Sequence, residues 1–270
     1  MKLGITLRSM GPESTSRLLV DCVRSAERAG LDDVWVQDHI AIPPEDAEGS
    51  GGRYLDPLTT LAFLAAQSTR IGLGVGVLNL PYRAPLPTAK ALATIQELSG
   101  GRLQLGVGVG WMKAEFRALG IPRTRRGRLT DEALAFIHRC FENDEIESNG
   151  QKFLFLPRPV RPPIFIGGAP PHALRRAVAF GDGWLPMAGD PEKLKTPIER
   201  LRELAAEAGR ARPEVKLMTA LPLHEPDHAL DRLGLLADVG VTSLVHGARY
   251  SSHAEFEEAA GRLAACSSAA

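Results

Sequence analysis

The chain offers one obvious acid/base pair, Asp38-His39, at the end of the apolar run VWVQ. Imidazole is the side chain whose ordinary charge change falls in the physiological range, so His39 suits proton exchange with a reacting molecule. The competing role is structural, a histidine capping the next loop through backbone hydrogen bonds. Three further clusters close apolar runs: Gly76-Val77-Leu78-Asn79, Gly108-Val109-Gly110-Trp111 and Gly167-Gly168-Ala169. The last leads through Pro170-Pro171 into a helical pattern, and the free N–H groups of a helix start favour a phosphate. The two prolines remove two donors there, which leaves Gly168 and Ala169 to supply them. A plain tight turn is the alternative. Metal chemistry has little support, because the 7 histidines include no His-x-His and no His-Glu-x-x-His. His246 is the only other histidine beside an expected strand end.

Two apolar runs, residues 71–80 and 103–110, are spiked with glycine at Gly72, Gly74, Gly76, Gly106 and Gly108. Glycine weakens a strand interior unless another backbone or a ligand must come close. Two adjacent strands stripped of side chains predict something large and flat lying against them. A cofactor is the leading expectation.

These residues need a frame that gathers strand ends. Strand patterns are expected at 2–7, 33–37, 71–80, 102–109, 163–167, 184–187, 215–221 and 242–245. Helical patterns alternate with them at 16–29, 56–68, 86–98, 129–141, 173–180, 191–209, 229–239 and about 254–265. In the first helix Leu18, Leu19, Cys22, Val23, Ala26 and Ala29 keep helical spacing, and Gly30 is placed to end it. Asn149-Gly150 marks a hairpin within 146–155, outside the main sheet. Gly181-Asp182-Gly183-Trp184 reads as a structural corner with a packing indole. Eight strand–helix units predict an α/β fold, a (β/α)8 TIM-like barrel with short insertions. It forms one domain over residues 1–270 with catalytic groups at the C-terminal strand ends. A doubly wound sheet would carry a glycine-rich phosphate loop after its first strand, where this chain reads RSMGPESTS.

Lys plus Arg and Asp plus Glu are equal at 32 each, so the charge balance points to neither nucleic acid nor an anionic membrane. The segment 123–128, RTRRGR, is a local exception. It reads first as a solvated loop and second as a contact for an anionic ligand tail. No apolar run approaches the roughly 20 residues that span a bilayer, and the amino terminus shows no secretion-signal pattern. Cys22, Cys140 and Cys266 read as small apolar fillers in a reducing compartment. A cytoplasmic protein is expected.

The motifs VWVQDHI, LGVGVLNLPYR, LSGGRLQLGVGVGW, PPIFIGG and GDGW, in this order, resemble the luciferase-like monooxygenase superfamily. The nearest match is its branch of coenzyme F420-dependent (deazaflavin) oxidoreductases, and the resemblance runs from about Lys2 to Met187. It implies a bacterial-luciferase-like barrel binding a flavin-type ring at the C-terminal face. It further implies that His39 is catalytic, with Asp38, Gly76, Val77, Asn79, Gly108 and Gly110 at the cofactor. The phosphate falls on Gly167, Gly168 and Ala169. A bulge in the third strand with a non-prolyl cis peptide is implied near Gly76-Val77 or Gly74-Val75. Two departures argue against a glucose-6-phosphate-type dehydrogenase. Trp111 replaces the family's acidic residue after the fourth strand, with Glu115 one helical turn further on, and Pro43 replaces a tryptophan after the histidine.

The leading expectation is hydride transfer between coenzyme F420 and a small organic substrate, with His39 as proton donor or acceptor. The alternative is an FMN-dependent two-component monooxygenase, and from another class a non-catalytic cofactor-binding protein. A homodimer through the helices at 56–68 and 86–98 is expected, since relatives commonly pair on this side.

Overall fold

The computed structural model describes residues 1–187 and 189–269, without the side chains of residues 267–269. Eight parallel strands close into a barrel. They are β1 (Lys2–Thr6), β2 (Asp33–Val36), β3 (Gly72–Asn79), β4 (Leu103–Gly108), β7 (Ile164–Gly167), β8 (Gly183–Leu185), β9 (Glu214–Thr219) and β10 (Ser243–His246). The barrel closes by pairing β1 with β10, Leu3 opposite Leu244 and Ile5 opposite His246. Outside it, β5 (Glu145–Ser148) and β6 (Gln151–Leu154) form the expected hairpin, with Asn149 and Gly150 both at positive φ (50° and 75°), as a tight Asn-Gly turn requires.

The surrounding helices are α1 (Ser16–Ala29), α2 (Pro57–Ala65), α3 (Pro85–Leu98), α4 (Lys113–Ala118), α5 (Arg126–Glu142), α6 (His172–Phe180), α7 (Pro191–Glu207), α8 (Pro226–Val239) and α9 (His253–Ala269). Thr15 caps α1 by accepting from Leu18 N–H, and Gly30 ends it in the left-handed conformation at φ 87°. Helix α9 returns to α1, where Ser25 meets His253 Nε2 at 2.8 Å and donates to Glu257. Arg102, in the turn before β4, donates to the carbonyls of Ala65, Ser68 and Ile71, tying down the end of α2 and the start of β3. Among the described residues no helix is long and apolar enough to cross a membrane.

Side chains fill the barrel in layers. Nearest the N-terminal strand ends, Asp33 accepts from Trp35 Nε1 (2.6 Å), Gln104 Nε2 (2.9 Å) and Lys216 Nζ (2.9 Å). Above them Trp35, Phe165, Leu185, Met218 and Val245 form an apolar plug. Lys216 is buried, and its ammonium lies 5.2 Å from the centre of the Trp35 ring and 5.0 Å from that of Phe165, so ring faces and a carboxylate together replace its water.

The glycine pattern finds its reason here, and it corrects the expectation that a cofactor needs all of that space. The flat object against β3 is the protein's own indole. A Cβ on Gly74 would stand 2.3 Å from Trp35 Cδ2, and one on Gly106 would stand 2.3 Å from the Val75 carbonyl oxygen. Higher up, the register between β3 and β4 shifts between Val75 and Leu78, and the Gly76–Val77 peptide is cis. Val77 then lies between neighbouring strands. A Cβ on Gly108 would meet it at 2.4 Å and one on Gly167 at 2.8 Å.

Two local expectations also change. The short helix α4 is absent from the sequence reading because six residues are too few to show a period. The RTRRGR segment is solvated at Thr124, Arg125 and Arg128, but it is not a loop. Arg123–Arg125 form a 3-10 turn, and α5 starts directly at Arg126 with no side-chain cap.

Candidate active site

The C-terminal ends of β2 and β3 bring five of the expected residues into one pocket. Asp38, His39, Gly76, Val77 and Asn79 line a cavity of about 200 Å³ together with Met10, Gln37, Tyr54, Trp111 and Met187. Gly108, Gly110 and Gly167 lie behind this lining, where their missing side chains make room for Val77, Tyr82 and Phe116. Gly168 and Ala169 lead into α6, and Trp184 Nε1 donates to the Gly168 carbonyl at 2.9 Å, which gives the corner indole a second task.

His39 is held from below. Its Nδ1 lies 3.2 Å from Oε2 of Glu115, a fully buried carboxylate on α4. The same carboxylate accepts from Ile40 N–H (2.6 Å), Ala41 N–H (3.2 Å) and Tyr82 O–H (2.9 Å). Burial alone would raise the Glu115 pKa. The bonds from His39, Ile40 and Ala41 outweigh it and hold the carboxyl below its usual range. Tyr82 shifts the other way, because burial and the adjacent Glu115 charge push its phenol up and keep it a donor. An ionised Glu115 is acceptor-only, so Nδ1 carries the proton and Nε2 of neutral His39 is the basic nitrogen. Among the described residues Nε2 has no hydrogen-bond partner. Edge-on rings flank the imidazole, Tyr54 at 4.9 Å and Trp111 at 6.2 Å between centroids.

Asp38 lines the same pocket with both oxygens taken by protein. Arg83 grips it with two bonds of 2.7 and 2.8 Å, and Asn79 N–H donates at 2.8 Å. Burial lifts its pKa above the usual carboxylate value, with the Arg83 fork offsetting part of that rise. Arg83 also reaches Asp56, the cap of α2, at 3.1 Å. This network locks the end of β2 to the bulged end of β3.

Next to the pocket lies a basic cleft of about 450 Å³, lined by Val109, Arg123, Thr124, Arg126, Gly127, His172 and Arg176. Val109 and Trp111 flank Gly110, so the chain leaving β4 passes from this cleft to the pocket around His39. Arg176 is paired with Asp131 at 2.6 Å. Among the described residues Arg123 and Arg126 have no carboxylate partner, and Arg123 Nε is enclosed with no hydrogen-bond partner at all. An orphaned guanidinium nitrogen beside a second unpaired cation fits an anionic group.

His246 stands elsewhere. It faces the helix layer, in a cleft of about 400 Å³ under the connections from β9 to α8 and from β10 to α9. Its Nδ1 accepts from Leu221 N–H at 3.1 Å, and burial lowers its pKa to about 4. That cleft is larger than the pocket at His39, but its carboxylates are engaged by protein, Glu258 by Arg262 and Glu255 by Ser251.

Sequence reasoning passed over Glu115, Tyr54, Tyr82 and Arg83 as site residues. Each acts through a partner that is distant in the chain, and Glu115 carried a hint, as the acidic residue one helical turn beyond Trp111.

A closed parallel barrel with a cis bulge in β3 and a histidine at the end of β2 defines a bacterial-luciferase-like (β/α)8 architecture. The chain belongs to the luciferase-like monooxygenase family, whose model matches residues 2–264. It is 31% identical over 249 residues to an uncharacterized protein of Mycobacterium tuberculosis, covering 85% of this chain and 84% of that one. Among solved structures it resembles the coenzyme F420-dependent tetrahydromethanopterin reductase of Methanopyrus kandleri, with TM-score 0.75, 20% identity and 97% of each chain covered. It also resembles the FMN-bound oxygenating component of 3,6-diketocamphane monooxygenase from Pseudomonas putida, with TM-score 0.78, 15% identity and coverage of 98% and 96%.

Proposed function

We propose that this protein is an oxidoreductase that binds coenzyme F420 at the barrel mouth and exchanges a hydride with a small organic substrate, with His39 moving the proton. The observation that carries the choice of deazaflavin over FMN is the basic cleft. FMN ends in one phosphate, whereas the deazaflavin continues into an acidic lactyl-glutamyl tail. Arg123 and Arg126, unpaired among the described residues, share their cleft with His172 and Arg176 of α6, the helix that the Gly167–Ala169 turn leads into, and supply more cations than a single phosphate held by that turn would use.

When bound, the reduced deazaflavin supplies the hydride; the chain supplies position and the proton. Gly76, Val77 and Asn79 form the floor of the pocket, stiffened from behind by Asp38 and Arg83. Glu115 fixes the His39 tautomer, so Nε2 can take a proton from an alcohol being oxidised or give one to a forming alkoxide. Tyr54 and Trp111 flank the imidazole edge-on and limit the directions from which a substrate can reach that nitrogen.

Equilibrium binding of oxidised deazaflavin and FMN, followed side by side by fluorescence, tests the cofactor. Tight deazaflavin with weak FMN supports the proposal, and the reverse order moves it to a two-component monooxygenase. His39→Ala is expected to retain cofactor binding and lose about 100- to 10,000-fold in turnover. Unchanged turnover removes His39 from the mechanism.

A further inference from the structure

The pocket around His39 has an unusual charge distribution for a site at a barrel mouth. Among the described lining residues the carboxylate and imidazole side chains are those of Asp38 and His39, and Asp38 is closed off by Arg83 and Asn79. Among the described residues no lysine or arginine lines it. Beneath His39 sits the ionised Glu115. An anionic substrate would therefore meet two buried carboxylates, each already matched by its own partner, and no cation left over. The cations of this face are segregated into the neighbouring cleft at Arg123 and Arg126.

The rim is the opposite in character. Trp111 is 66% exposed and Met187 61% exposed, and Met10 and Tyr54 complete the lining on the other side. Two large apolar side chains held open at a pocket mouth mark a surface kept for an apolar partner molecule. Trp111 stands at 87° to the His39 ring, so a flat molecule lying against the indole stands perpendicular to the imidazole plane.

From this juxtaposition we infer that the substrate is an uncharged, flat carbonyl compound, aromatic or conjugated, seated against Trp111 and Met187 with its oxygen toward His39. The inference rests on the oxidoreductase reading above and adds the substrate class. In the reducing direction a bound reduced deazaflavin would supply the hydride to the carbonyl carbon. The oxygen would gain the Nε2 proton of the His39 imidazolium, leaving the alcohol and the neutral imidazole with its proton on Nδ1. Trp111 and Met187 are the specificity-determining residues.

The test reads binding rather than turnover. The chain has 3 tryptophans, and Trp35 and Trp184 are buried, so quenching by a ligand at the mouth reports Trp111. The full chain is titrated with acetophenone and with 4-acetylbenzoate, alone and in the presence of oxidised deazaflavin or FMN. Saturable quenching by acetophenone, lost in Trp111→Phe, with at least tenfold weaker binding of the carboxylate, is the expected result. Met187→Lys places a cation on the rim and should reverse the preference toward 4-acetylbenzoate. Equal or tighter binding of the carboxylate to the unaltered chain, or quenching that survives in Trp111→Phe, overturns the inference. Failure to bind either cofactor sinks the oxidoreductase reading, while the comparison of the two probes still reports on the rim.

Discussion

Glu115 Oε2 lies 3.2 Å from His39 Nδ1, a contact that joins the six-residue helix α4 to the end of β2 across 76 positions of sequence. One carboxylate thereby orients the His39 imidazole and ties down the two backbone N–H groups that follow it. Orientation of a catalytic base by a third group is a recurring arrangement in proton-transfer sites.

Replacing Glu115 by Gln keeps the size and removes the charge. The amide oxygen can keep the Ile40 and Ala41 N–H groups, which leaves the NH2 facing His39 Nδ1–H and Tyr82 O–H, and leaving one such donor unpaired costs about 1–3 kcal/mol. Lower stability in urea denaturation at neutral pH is expected, together with lower kcat. The carboxyl of Glu115 is held below its ordinary value of 4.5, so its contribution is present above that pH. It fades as pH falls through the lower folded value. Glu115→Gln should therefore show a flatter acid limb of stability than the unaltered chain, and parallel limbs would count against an ionised Glu115.

Reversing charge in the basic cleft separates the two cofactors. Arg126→Glu is expected to weaken deazaflavin binding on the order of 10- to 100-fold, in line with the loss of one charge-assisted contact. FMN, lacking the tail, should change less. A fluorescence titration of both ligands against Arg126→Glu and Arg123→Glu measures the difference, and equal losses for both ligands would place only the phosphate there.

Gly74→Ala tests whether the strand glycines serve Trp35. The added methyl would sit 2.3 to 2.6 Å from the indole, which Asp33 and the surrounding plug hold in place. Overpacking of this kind costs about 1–3 kcal/mol. Combining it with Trp35→Leu should give a total loss smaller than the sum of the single changes. Strict additivity, read by chemical denaturation, would show that the glycine has another reason.

Neutral His246 gives the fold a pH dependence of its own. The ring is charged in the unfolded chain below about 6.5 but stays neutral when folded down to about 4. The unfolded state therefore binds more protons between these values. Stability is complete above pH 6.5 and declines as pH falls toward 4, by about 3 kcal/mol in all. His246→Gln should remove this slope, measured as urea midpoints between pH 7 and pH 4.5.

The amino-acid sequence by itself determined the barrel, because each strand–helix unit is written in local periodicity and punctuated by residues such as Gly30 and Asn149-Gly150 that act where they stand. It also determined where acid/base chemistry could sit, since Asp38-His39 closes a strand and strand ends gather at one mouth. Only the tertiary structure decided what those residues do. Whether the space beside Gly74 belongs to a ligand or to Trp35 depends on which side chain of a neighbouring strand points inward at that height. Whether Asp38 meets a guest or Arg83, and whether Glu115 is a surface acid or the support of His39, depends on contacts across 45 and 76 positions. Periodicity reports which face of an element is buried. It carries no record of the distant partner that a buried polar group will find, and in this protein that choice built the site.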